Sequence, residues 1–267
     1  MTATLTNPFA LSDTPLVVSI DSKMVEAMDY YGGGSVPQVL KRLQNGGYNA
    51  LFMPQFVDAR IEAPDNSPLW KNENVFKDSY DSISIRVTGN TKQGNPVIVY
   101  SHYATSLSNP DILIELLSKV PTDTPQYSVY MPPEEFLNLV SRDGLQDEHG
   151  NRVVWVIDDN KLKNKYGIMP VAKALKHPET IPFLGGEDRA QKYLARHKQI
   201  YGKEIGIWPY VVDRSIENPQ PKGTLLELGW YGGGVSGSPR IFGLKTTGPL
   251  LHNIGHFLGL EELLRKL

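Results

Sequence analysis

Residues Ser82 to Thr88 alternate Ile83, Ile85 and Val87 with Ser84, Arg86 and Thr88. A turn, Gly89-Asn90-Thr91-Lys92-Gln93-Gly94-Asn95-Pro96, then leads into the apolar run Val97 to Tyr100. Period-two alternation, a glycine-bearing turn and a second β-branched run predict an antiparallel hairpin. The first strand is expected to be half-buried and the second more fully buried. A hairpin cannot bury its apolar face alone, so the rest of the chain must supply further strands and helices to cover it.

The remaining signals point the same way. Pro15–Ile20, Val153–Ile157, Ile205–Val212, Thr224–Leu228 and Ile241–Leu244 read as strands, and Tyr48–Ile61 as an extended segment bent at Pro54. Helices are expected at Val36–Leu43, Asp111–Lys119, Pro133–Arg142, Pro170–Leu175, Glu187–Tyr201 and Pro249–Leu267. Asn109-Pro110 supplies an N-cap and a first-turn proline for the second of these, with Leu113, Leu116, Leu117 and Val120 as its apolar stripe. Residues 62–81 hold few large apolar side chains and read as a long loop anchored by Trp70 and Phe76.

Strict βαβ alternation is absent, which favours an α/β or α+β chain with a mixed β-sheet and packed helices. No Gly/Ser-rich or Pro-rich linker divides it. The expected organisation is an N-terminal arm over 1–14 and a single mixed α/β domain over 15–267.

Charge narrows the function classes. A net charge of -2 with no run of five or six like charges argues against a nucleic-acid coat. Lys161, Lys163 and Lys165 read as a solvated turn. No stretch reaches the ~18 apolar residues of a membrane span. The chain has no cysteine, which removes disulfides and thiolate chemistry and leans towards a reducing, cytoplasmic setting.

Candidate chemistry gathers at strand ends. His102 follows the strand Val97–Tyr100 and is a candidate general base, with Asp158 or Asp159, just past Val153–Ile157, as its partner if the two strands are neighbours. The turn Gly32-Gly33-Gly34-Ser35 precedes a helix, so its backbone N–H groups suit an anion such as phosphate or carboxylate. It has no lysine of the P-loop kind. Trp230-Tyr231-Gly232-Gly233-Gly234 echoes Tyr30-Tyr31-Gly32-Gly33-Gly34 without the flanking periodicity of a repeat.

The segment Leu251-His252-Asn253-Ile254-Gly255-His256-Phe257-Leu258-Gly259-Leu260 resembles the zinc-binding helix of the metzincin proteases. The resemblance covers about ten residues and implies His252 and His256 as metal ligands, with Glu262 at the third ligand position. Asn253 stands where that family has its glutamate base, so proteolysis is not expected; the segment reads as an amphipathic terminal helix, with a metal site as the alternative. No cofactor is identified.

The expectation is an enzyme or binding protein for a small polar or anionic molecule. Its pocket would use His102, Asp158 or Asp159, and the Gly32–Ser35 turn. The alternatives are a structural or interaction subunit of a larger assembly, and a metal-binding protein using His252 and His256. The oligomeric state is left open.

Overall fold

The structure is a computed structural model that describes residues 17–19, 24–28, 36–65, 67, 69–70, 80–119, 129–162, 167–207, 220–228 and 240–245. The strands are β1 (Val17–Ser19), β2 (Met24–Met28), β3 (Tyr48–Ala50), β4 (Tyr80–Asn90), β5 (Pro96–Ser101), β6 (Val129–Tyr130), β7 (Val154–Asp158), β8 (Gly167–Pro170), β9 (Glu204–Ile207), β10 (Lys222–Leu228) and β11 (Arg240–Lys245). The helices are α1 (Val36–Asn45), α2 (Met53–Glu62), α3 (Pro110–Ser118), α4 (Pro133–Ser141), α5 (Val171–Ala174), α6 (Thr180–Leu184) and α7 (Glu187–Tyr201).

Strand β4 is the hub. The predicted hairpin places β5 antiparallel to it, from Ile85↔Ser101 to Asn90↔Pro96, and β7 runs antiparallel to β5 beyond. The other edge of β4 carries β10 and then β6, both antiparallel. At its start, β4 meets β11 in a parallel contact, Ile241↔Asp81, and β11 brings β2, β1 and β3 into the sheet. One parallel contact among antiparallel ladders makes the sheet mixed, as expected. Strands β8 and β9 form a separate antiparallel pair.

Apolar cores lie on both faces of the sheet. On one, Val39 and Leu43 of α1, Leu113 of α3 and Phe136 and Leu139 of α4 pack on Ile85, Val87, Val97, Val99 and Leu225. On the other, Met53, Phe56 and Val57 of α2, Leu184 of α6 and Tyr193 and Leu194 of α7 cover Ile98, Tyr100 and Leu226. Double coverage corrects the half-buried reading of the first hairpin strand. Ser82, Ser84, Arg86 and Thr88, expected on a solvent face, are buried as well. They are tolerated because each finds a polar partner: Ser82 Oγ donates to the Leu226 carbonyl at 3.1 Å, and Thr88 Oγ1 to that of Lys222 at 3.5 Å.

The second correction concerns Tyr48–Ile61. Only Tyr48–Ala50 is a strand; the chain then turns into α2, with Pro54 in its first helical turn, where a missing N–H costs nothing. Gln55 Oε1 accepts the Phe52 N–H at 3.0 Å, and Ser84 Oγ accepts that of Met53 at 2.8 Å. Met53, Phe56, Val57 and Arg60 are the buried residues, a helical i, i+3, i+4, i+7 spacing.

Helices α1, α3, α4 and α7 fall where expected, and Asn109 Oδ1 caps α3 by accepting from Asp111 and Ile112. Strands β2, β6 and β8 and helix α6 were not anticipated. Of the expected loop 62–81, Glu62 ends α2, Tyr80 and Asp81 open β4 and 71–79 lie outside the described residues; Trp70 is fully buried, donates its indole N–H to the Arg60 carbonyl at 2.5 Å and stacks on Tyr193 at 5.7 Å. The arm 1–14, Phe76, Gly32–Ser35 and the segment Pro249–Leu267 with His252, His256 and Glu262 lie outside the described residues. No described helix is long and apolar enough to cross a membrane.

Candidate functional site

His102 leaves the end of β5 and points under α6. Its backbone N–H donates to the Val153 carbonyl at 2.9 Å. Its side chain is 4% exposed and bonded through both ring nitrogens, Nδ1 to Ser84 Oγ at 2.9 Å and Nε2 to the Pro182 carbonyl at 2.6 Å. A carbonyl only accepts, so this geometry assigns the proton to Nε2 and leaves Nδ1 to accept from the Ser84 hydroxyl. Burial lowers the His102 pKa to about 4, with Arg189 contributing and the Pro182 bond opposing. The imidazole is a neutral bridge between β4, β5 and α6 with no free nitrogen for a substrate.

The strands bearing His102 and the two aspartates are neighbours, but they run antiparallel. Ser101 pairs with Val154 and Val97 with Asp158, so Asp158 lies beside the opposite end of β5, about 17 Å along the strand from His102. Asp158 is exposed and accepts the Asn160 N–H at 3.0 Å, and Asp159 opens a 3-10 turn to Leu162. The structure does not bring His102 together with Asp158 or Asp159. Of the Gly32–Ser35 turn, it describes only the approach: β2 ends at Met28, opposite Arg240 at the start of β11.

A pH dependence follows from His102. In the fold it stays neutral down to about pH 4, whereas its ordinary value is 6.5. The unfolded chain therefore binds more protons between those values, and stability falls as pH drops through that window. The loss attributable to His102 is about 2 kcal/mol by pH 5. Urea midpoints at pH 7 and pH 5 should separate less for His102→Gln than for wild type. An identical separation would mean that His102 does not titrate on unfolding.

Polar side chains do converge elsewhere, in a surface cleft of about 300 Å³. Its walls are the outer face of α2 (Asp58, Ile61, Glu62), the start of α7 (Gly185 to Arg189, with Lys192) and the approach to β7 (Asn151, Arg152, Trp155). Each wall is held by local chemistry. Gly185, at φ +81, ends α6, and a Cβ there would lie 2.4 Å from Pro54 Cγ. Gly186, at φ +138, lets the chain re-enter a helix directly. Arg189 then grips Asp58 with both carboxylate oxygens, at 2.7 and 3.0 Å, and pins α7 to α2.

On the opposite wall, Asp147 accepts the N–H groups of His149 and Asn151, at 2.9 and 2.8 Å, and shapes the turn that presents Asn151 and Arg152. The Arg152 guanidinium lies 4.1 Å over the Trp155 ring and pairs with Asp143. Lys192 pairs with Asp188 at 2.6 Å, while Glu62 lines the same space. The cleft thus offers both charge signs, an amide and an indole. Sequence reading missed it because its walls come from three separate segments. Among the described residues, no three histidines or carboxylates gather as a metal site.

No family model matches the chain, and no curated protein does. One solved structure, described as the accommodation of massive sequence variation in Nanoarchaeota by the C-type lectin fold, is similar to it. The two share 38% identity over 85% of this chain and 100% of that one, with a TM-score of 0.67. That similarity spans the whole of the other chain and shows more than a common architecture: this protein belongs to the family of that C-type lectin-fold protein.

Proposed function

We propose that this chain is a binding protein rather than an enzyme, and that it holds a small polar, polyhydroxylated ligand in the cleft between α2, α7 and β7. The observation that carries this reading is the cleft itself, in which Asn151, Arg152, Trp155, Glu62 and Lys192 meet at the surface. Hydroxyl-rich ligands such as carbohydrates are recognised by amide and charged side chains around an aromatic ring, and the cleft offers these groups. The candidate general base, by contrast, is locked inside the fold.

The related structure supports the reading in a second way. Its fold is described as accommodating massive sequence variation. Here Asn151, Arg152, Glu62 and Lys192 stand on a scaffold held by two buried cores, while Asp58, Gly185 and Arg189 of the same cleft belong to that scaffold. Anion binding at the Gly32–Ser35 turn, which precedes α1 on the other face of the sheet from the cleft, stays a separate proposal. A cysteine-free chain suits a reducing compartment, and we place its action in the cytoplasm on that ground.

The test is a titration with neutral, amino and acidic mono- and disaccharides, followed by tryptophan emission. Binding should change the emission of wild type, and Trp155→Phe should abolish the change. Arg152→Ala should weaken binding about tenfold, the size of one lost charge-assisted hydrogen bond. No response to any of these compounds, with a large homogeneous assembly in native mass spectrometry, would replace the cleft reading with that of an assembly subunit.

A further inference from the structure

The cleft between α2, α7 and β7 carries more negative than positive charge. Its walls hold four carboxylates, Asp58, Glu62, Glu187 and Asp188, against three cations, Arg152, Arg189 and Lys192. Each cation is already engaged. Arg189 gives Nε and Nη2 to Asp58 and Nη1 to the Gly185 carbonyl. Arg152 gives Nη2 to Asp143, which is not part of the cleft wall, and Nε to the Val154 carbonyl at 2.9 Å. Lys192 pairs with Asp188 at 2.6 Å.

With Asp58 and Asp188 taken, Glu62 and Glu187 remain. The Glu62 side chain, exposed at the end of α2, makes no ion pair or hydrogen bond among the described residues. Glu187, exposed at the start of α7, accepts the Gln191 amide at 3.3 Å and meets no described cation. Both line the same space of about 300 Å³. Asn151, on the opposite wall, gives its Nδ2 to Asp147 at 3.0 Å and so keeps Oδ1, an acceptor, for a ligand. A helix N-terminus ordinarily suits an anion, but Glu187 and Asp188 already occupy the first turn of α7. An acidic ligand would therefore meet like charge and find every cation matched.

We propose that the ligand is positively charged: an amino sugar whose ammonium is taken by Glu62 and Glu187. This rests on the cleft reading above and narrows it from hydroxyl-rich compounds in general to cationic ones.

Tryptophan emission of the full chain tests the proposal at low ionic strength, with glucose, galactose and mannose each beside its 2-amino and uronic-acid counterparts. In the series that binds, the amino sugar should bind about fivefold tighter than its neutral parent, the size expected of exposed charge pairs. The uronic acid should bind most weakly, and the preference should fade in about 1 M salt. Glu62→Gln should reduce the preference, as should Glu187→Gln on another wall. Equal affinity for parent and amino sugar, or tighter binding of the uronic acid, would overturn the proposal and leave the cleft a sugar site. Equally tight binding of Nα-acetyl-lysine amide, an ammonium without a sugar ring, would overturn the amino-sugar assignment. Silence from every compound would remove the cleft reading and this one with it.

Discussion

Glu179→Ala should be among the most damaging single substitutions in this protein, lowering stability by about 3–5 kcal/mol. Glu179 lies between α5 and α6, with its side chain 1% exposed against the 3% exposed side chain of Arg86. Its Oε1 accepts from Arg86 Nε and Nη2, both at 2.9 Å, and from the Tyr100 hydroxyl at 2.8 Å. Removing it takes two charge-assisted hydrogen bonds from a buried guanidinium. For a chain of this size the loss corresponds to a Tm lower by on the order of 10 °C. Arg86→Met with Glu179→Leu removes both charges at similar volume and should recover more than half of that loss. A single-variant cost below about 1 kcal/mol would show the pair to be screened like a surface bridge.

Phe136→Ala should cost a similar amount, about 3–5 kcal/mol, through the cavity it leaves in the other core. Phe136 is fully buried, with the tip of its ring against Gly89 in β4. A Cβ at Gly89 would stand 2.7 Å from Phe136 Cζ and 2.8 Å from Cε1. Gly89→Ala alone should therefore destabilise by about 1–3 kcal/mol, because the ring has to move. In the Phe136→Ala background the added methyl enters space the ring has left and should cost nothing further. Denaturant melts of the four proteins give the coupling directly. Simple additivity would mean that ring and glycine do not touch in solution.

Much of the fold could be read where its causes are local. The hairpin β4–β5 was legible from alternation around a glycine turn, and α3 from Asn109-Pro110 followed by an apolar stripe. Helix α2 was legible in principle, since Met53, Phe56, Val57 and Arg60 keep helical spacing. Pro54 hid it, because a proline in a helix's first turn looks like a break in a strand. Long-range chemistry was not legible. Arg86 alternates with isoleucines and so reads as solvent-facing; its partner Glu179 is 93 positions away. Sequence left open whether the strands leading to His102 and Asp158 are neighbours; the register shows that they are, and that their antiparallel direction separates the two side chains. The cleft depends on three segments whose meeting no short-range signal records.

The hub position of β4 has a consequence for how the chain is made. Thr88 bonds to Lys222, 134 positions later, and Asp81 meets Ile241 later still. At ribosomal speeds of about 5–20 residues per second, roughly ten seconds pass between emergence of the central strand and of its partners. During that interval β4 can pair with β5, and β5 with β7, but the other edge of β4 stands open, an adhesive ladder awaiting its mate. Newly made chains should therefore depend on holdase chaperones until β10 arrives, and truncations that remove β10 should collect as aggregates rather than as shortened folds.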